Sequence, residues 1–197
     1  MILTHNTETV TQQYNAASEE DTNDHYEQDM APEPELEAIE VVVEKIAERR
    51  RQITAKVEIS RPPEIVWKVL TNYEALPEFV PSLHSSKRLE HPQPGGIRVE
   101  QIGRERLLKL NFNARVVLDL FESFPTEISF QMVEGDFKEY SGSWVLQPCD
   151  NDQSTTNLCY TLTVHPKRLM PVSLIEQRLG KGLRVNLHAI KKHVESE

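Results

Sequence analysis

Residues 55–81 read AKVEISRPPEIVWKVLTNYEALPEFVP, and within them one hydrophobic period hands over to another. Ile53, Ala55, Val57 and Ile59 alternate with Thr54, Lys56 and Glu58, the pattern of a strand with one face in a core. Ser60-Arg61-Pro62-Pro63 ends that strand. Proline offers no amide hydrogen to a ladder, but its φ suits a first helical turn, and Glu64 then sits at the positive end of the helix dipole. Helical spacing follows in Ile65, Val66, Val69 and Leu70, with Trp67 at the edge of that face. Asn72 marks the stop, and a second short helix is expected over 74–80.

The same reading runs outward in both directions. Upstream, Ile39, Val41 and Val43 alternate, so 39–59 is either one long bent strand or two short ones. Downstream, 82–90 and 97–102 are expected strands around the turn His91-Pro92-Gln93-Pro94-Gly95-Gly96. Leu108, Leu110, Phe112, Ala114, Val116, Leu118 and Leu120 then share one face of a long strand, and Ile128, Phe130 and Met132 form the next apolar row. Over 139–149 the inward row is Tyr140, Gly142, Trp144 and Leu146, where Gly142 is expected to leave space above the sheet. Leu158, Tyr160, Leu162 and Val164 close the series. About six or seven strands with short connections make an antiparallel meander. From Pro171 to about residue 194, Leu174, Ile175, Leu179, Leu183, Leu187, Ile190 and Val194 form one helical stripe that must lie on that sheet. Gly180 and Gly182 within it each cost about 1 kcal/mol relative to Ala, so close packing, a bend or room for a ligand would have to retain them.

The chain has 197 residues and a net charge of −9. Eleven acidic residues and no Lys or Arg fall in 1–40, which leaves the rest near +2 (−9 + 11). Low hydrophobicity with charge of one sign cannot offset the entropy of ordering, so 1–36 is expected to be a disordered acidic tail ahead of one domain over 37–197. No apolar run reaches the roughly 18 residues of a membrane span, and no signal peptide is evident, so a cytoplasmic location is expected, with or without contact at a membrane surface. Cys149 and Cys159 flank an expected hairpin turn and are read as free thiols. The run Glu48-Arg49-Arg50-Arg51 is read as a solvated turn or strand edge ahead of a phosphate contact.

The strand ending in Ser60-Arg61-Pro62-Pro63-Glu64-Ile65-Val66-Trp67, the stretch Asn72-Tyr73-Glu74 with Leu76-Pro77-Glu78-Phe79-Val80-Pro81, the Gly142-Ser143-Trp144 strand and the long final helix resemble the polyketide cyclase/dehydrase branch of the START-like (SRPBCC) superfamily. The nearest likeness is to its coenzyme Q-binding START-domain proteins, over residues 37–195. The resemblance implies an α+β helix-grip fold: a curved antiparallel sheet around a long C-terminal helix, two short helices after the first strand, and an apolar cavity between sheet and helix. It implies binding of an isoprenoid quinone or other lipid. A cyclase or dehydrase enzyme and a ribosome- or RNA-associated module are the alternatives.

The residues themselves supply no catalytic constellation, no metal-ligand spacing among the histidines and no cofactor motif, so no catalytic residue, metal or cofactor is assigned. The apolar side chains expected to line a cavity are Trp67, Phe79, Phe112, Phe130, Met132, Trp144, Tyr160, Leu179 and Leu183. From His165 onward, Lys167, Arg168, Arg178, Lys181, Arg184, Lys191 and Lys192 outnumber Glu176, Glu195 and Glu197, a net +4 (7 − 3). That charge suits an anionic membrane surface or RNA, or else an ordinary solvated helix face.

Overall fold

The computed structural model describes Leu36 and residues 39–107, 110–149, 152–168 and 172–197, with the backbone alone at 105–107, 110–112, 173–175 and 177–179. The expected tail therefore lies outside the described residues, Leu36 apart. β1 (Glu40–Lys45) and β2 (Arg51–Ile59) pair antiparallel, so the upstream alternation is two strands and not one bent strand. Within the hairpin end, Arg51 is buried and pairs with Glu176, and Arg50 pairs with Glu139. Two of the three arginines thus serve structural ion pairs.

At Pro62 and Pro63 the chain turns into α1 (Pro63–Leu70), which buries Val66, Trp67, Val69 and Leu70. Thr71 closes the helix, its backbone N–H and hydroxyl both donating to the Trp67 carbonyl at 2.9 Å. The expected second helix is only a three-residue 3₁₀ turn, Leu76–Glu78. Pro77 within it and Pro81 just beyond leave little room for helix propagation.

Six further strands follow: β3 (Leu83–Leu89), β4 (Ile97–Leu107), β5 (Leu110–Ser123), β6 (Glu127–Gly135), β7 (Phe137–Cys149) and β8 (Asp152–Pro166). The sheet has eight strands in the order β1-β2-β8-β7-β6-β5-β4-β3. The meander is thus confined to β3 through β8, and β2 joins its far edge by pairing with β8. The count exceeds the expected six or seven because β1 is a separate edge strand. Val116, Val117 and Leu118 of β5 are all buried, and the β5–β6 ladder is bulged beside them: Val117 stands opposite Glu134 and Leu118 opposite Met132, so the extra residue is Val133 of β6. Such a bulge adds local twist, which helps the sheet curl.

α2 (Val172–Ser196) lies against β1 and β2, with Leu187, Ile190 and Val194 fully buried. Its C-terminal end is fastened to the strand-helix corner. Glu195 accepts the Ser60 N–H at 2.8 Å, its backbone carbonyl accepts Arg61 Nη2 at 2.7 Å, and Lys191 donates to the Glu58 carbonyl at 2.7 Å. Burial would raise the Glu195 pKa, but Lys191 and the Ser60 N–H outweigh it and hold the carboxyl below its usual range. A Cβ at Gly180 would meet only Val43 Cγ2, at an ordinary 3.8 Å, so tight packing does not require that glycine. Cys149 stands opposite Asp152 and Cys159 opposite Val145. Four residues of extended chain separate the two thiols' positions, too far for a disulfide between them.

Gly142 does not leave space, as the sequence reading expected; it removes a collision. A Cβ there would lie 1.9 Å from the Thr161 carbonyl oxygen of β8 and 2.8 Å from Phe130 Cζ of β6. The first obstacle is backbone and cannot rotate away. Gly142→Ala is expected to cost about 3 kcal/mol or more, read from urea melts, because β7 and β8 must part to admit the methyl group. A loss under about 1 kcal/mol would show that the strands are not held at this spacing.

Candidate functional site

The inner face of the sheet is not equally filled. On β8, Leu158, Tyr160, Leu162 and Val164 are all buried. On the neighbouring β7, Tyr140 and Trp144 are only half-buried, and Trp144 stands between Ile128 of β6 and Tyr160 of β8, whereas the β6–β7 pairing ends at Ser141, one residue before Tyr140. Trp144 is paired on both sides, so its exposure does not come from an open edge and reflects solvent-accessible space over the face of the sheet.

The rings facing that space form one cluster. Trp144 packs on Tyr160 with centroids 4.2 Å apart, Phe130 lies 5.9 Å from both Tyr160 and Tyr140, and Phe137 lies 5.4 Å from Tyr140. Phe130 stands opposite Gly142 across the β6–β7 pairing, so the missing Cβ is what lets its ring lie there. Of the residues named from sequence, the structure brings together Phe130, Trp144 and Tyr160. Met132 and Leu183 pack half-buried against the same core.

Trp67 and Phe79 belong to the same core but have other aromatic partners. Trp67 is buried on α1 and meets Phe124 edge-to-face at 5.5 Å, at the β5–β6 turn. Phe79 stacks on His193 of α2, centroids 3.9 Å apart and rings 5° from parallel. That pair lines a surface cleft of about 270 Å³ rimmed by Lys68, Asn72 and Glu197. The side chains of Phe112 and Leu179 lie outside the described residues. Sequence reasoning put Tyr140 on the right row but did not name it as a site residue, and it missed Phe137, which precedes a register shift at the start of β7. Alternation could have found Tyr140. It could not have found Phe137 across an irregular ladder.

The polar groups of the cluster are the Tyr140 and Tyr160 hydroxyls and the Trp144 indole N–H. Burial raises the pKa of both phenols, Tyr160 well above the ordinary phenol value. A third phenol ties the closing segment down: Tyr73 is buried, donates to Glu122 at 2.5 Å and carries the Arg88 guanidinium 5.1 Å above its ring. Burial, and then Glu122, push its pKa far above normal. Among the described residues no group of three or more His, Cys, Asp or Glu is placed to hold a metal ion.

Residues 59–191, more than half of the chain, match the family described as polyketide cyclase / dehydrase and lipid transport. The fold is similar to that of Zhui aromatase/cyclase from Streptomyces sp. R1128, with a TM-score of 0.61 and 18% identity over 74% of this chain and 94% of that one. It is similar to a START superfamily protein from Mycobacterium smegmatis (TM-score 0.60, 17% identity, 74% of this chain and 97% of that one). A STAR-related lipid transfer protein from Xanthomonas axonopodis gives a TM-score of 0.57 at 16% identity, over 78% of this chain and 98% of that one. At these identities the likeness is one of fold. No curated protein matches the sequence.

The three phenols set an alkaline limit on stability. Each has a folded pKa above its unfolded value near 10, so the folded state keeps a proton that the unfolded state releases. Their contribution is intact below about pH 10 and is lost as pH rises beyond it. Urea melts across that range are expected to show stability falling together with the appearance of tyrosinate absorbance, and Tyr73→Phe should remove part of the fall. Ionisation of all tyrosines near pH 10 in a still-folded protein would contradict this.

Proposed function

Because the chain belongs to the polyketide cyclase / dehydrase and lipid transport family, we propose that it holds an apolar small molecule against the aromatic cluster of β6, β7 and β8. An isoprenoid quinone or another lipid is the ligand class this reading favours. The observation that carries it is the partial exposure of the Trp144 ring at a position paired with strands on both sides. Each exposed ring is apolar area in contact with water. A ligand that removes roughly 200 Å² of such surface gains about 5 kcal/mol at 25 cal/mol per Å², without any exacting polar contact.

Carriage is favoured over a cyclase-type reaction by the state of the phenols. With their pKa values raised, Tyr140 and Tyr160 stay protonated near neutral pH and are poor general bases. They can donate a hydrogen bond and orient a guest. Delivery would use the exposed cations of α2, namely Lys181, Arg184 and Lys192, against anionic headgroups, each worth about 1 kcal/mol near such a surface. Lys191 is excluded from that role because it is bound to Glu195 and to the Glu58 carbonyl.

Native mass spectrometry and solvent extraction of the purified protein are expected to find a co-purifying apolar molecule. A protein that arrives empty and takes up no quinone, fatty acid or carotenoid would overturn the reading. Trp144→Ala should lower uptake more than stability, because part of the ring faces the guest. A loss of about 3–5 kcal/mol with unchanged uptake would make Trp144 an ordinary core residue. For the helix, co-sedimentation with anionic vesicles should weaken with salt and with Lys181→Gln combined with Arg184→Gln. Binding to RNA instead of vesicles would assign the charge to nucleic acid.

A further inference from the structure

At the end of the sheet where the row of rings begins, three separate segments are tied together. Arg49 of the β1–β2 turn donates from Nη2 to the Lys167 carbonyl at 3.1 Å and to the Arg168 carbonyl at 3.5 Å. Lys167 in turn donates to the Gly135 carbonyl at 2.9 Å, at the β6–β7 turn, and Phe137 just beyond stands opposite Pro166. The end is basic. Over 45–51, 135–139 and 165–168, Arg50 and Arg51 are neutralised by Glu139 and Glu176, which leaves Lys45, Arg49, Lys138, Lys167 and Arg168 against Glu48 and Asp136, a net +3 (5 − 2). Lys45, Lys138, Lys167 and Arg168 are all exposed, on a chain whose net charge is −9.

The same end carries apolar surface. Seven large hydrophobic side chains are exposed among the described residues, and three of them, Val42, Val43 and Ile46, fall within five residues of this hairpin. Ile46 is 46% exposed at the tip, in a turn closed by its own N–H and that of Ala47 donating to the Arg50 carbonyl at 3.1 and 3.2 Å.

We propose that this end is a docking surface for a lipid bilayer with anionic headgroups, in which Lys138, Lys167 and Arg168 meet the headgroup charge and Ile46 enters the interface between them. It uses residues other than the α2 cations and goes beyond the carrier reading, which can fail without it. Cations alone suit the phosphates of a nucleic acid equally well. The apolar tip decides between the two, because a nucleic acid leaves it in water and a bilayer interface takes it up. The rings run from Phe137 through Tyr140, Phe130 and Tyr160 to Trp144, so a bilayer held here lies beside the first of them.

Co-sedimentation with vesicles of phosphatidylcholine containing about 30% phosphatidylserine, beside phosphatidylcholine alone, tests the surface. The wild-type chain is expected to bind only the anionic vesicles. Lys138→Gln combined with Arg168→Gln should weaken that binding about tenfold or more, since each cation near such a surface is worth about fivefold. Among the described residues neither side chain has a bonding partner, so the double variant removes charge and no internal contact. In Ile46→Trp, brominated acyl chains should quench fluorescence beyond what they quench in the unaltered chain, whose own indoles are Trp67 and Trp144. Full binding by the double variant, or binding of Ile46→Trp without added quenching, overturns the proposal and leaves the carrier reading standing. Preference for RNA over anionic vesicles overturns it too, as does failure to bind either. Docking through this end by a protein that takes up no guest supports the surface and removes only the carrier reading.

Discussion

One helix cannot cover eight strands. With side chains an α-helix is about 10–12 Å across, whereas eight strands at about 4.8 Å spacing span roughly 34 Å. Curling the sheet, as the β6 bulge at Val133 helps it do, narrows that mismatch without closing it. α2 lies on β1 and β2, and α1 lies on β7 and β8. What these leave on β7 is a half-buried aromatic surface at Tyr140 and Trp144.

The position of α2 depends in turn on the corner at Ser60 and Arg61. Three contacts there fix the C-terminal end of α2 to the end of β2, each with an ionised partner on one side. Bonds of this kind contribute about 1.5–3 kcal/mol when sheltered, less where water reaches them. Thr156 of β8 donates to the Arg61 carbonyl at 2.7 Å, so the corner is tied to the sheet as well as to the helix. The helix is thereby held over one side of the sheet, and the closing segment is pinned separately through Tyr73 and Glu122.

Much of this was legible in the chain itself. Period-two alternation in 53–59 and 158–164, the Pro62-Pro63 change of period and the long stripe ending at Val194 determined a curved antiparallel sheet with a terminal helix, because burial of one face imposes its period on the sequence. Phe130, Trp144 and Tyr160 fell on inward rows for the same reason. Only the tertiary structure decided which inward residues meet. Trp67 and Phe79 have the right period, but α1 and the 3₁₀ turn carry them to Phe124 and His193, away from the aromatic cluster. The role of Gly142 reversed between the two readings, since an absent side chain looks like space in a sequence and is a close contact between β7 and β8 in the fold. Periodicity records which face a residue takes; distances between strands depend on register, bulges and crossing segments, which are long-range contacts that no local pattern encodes.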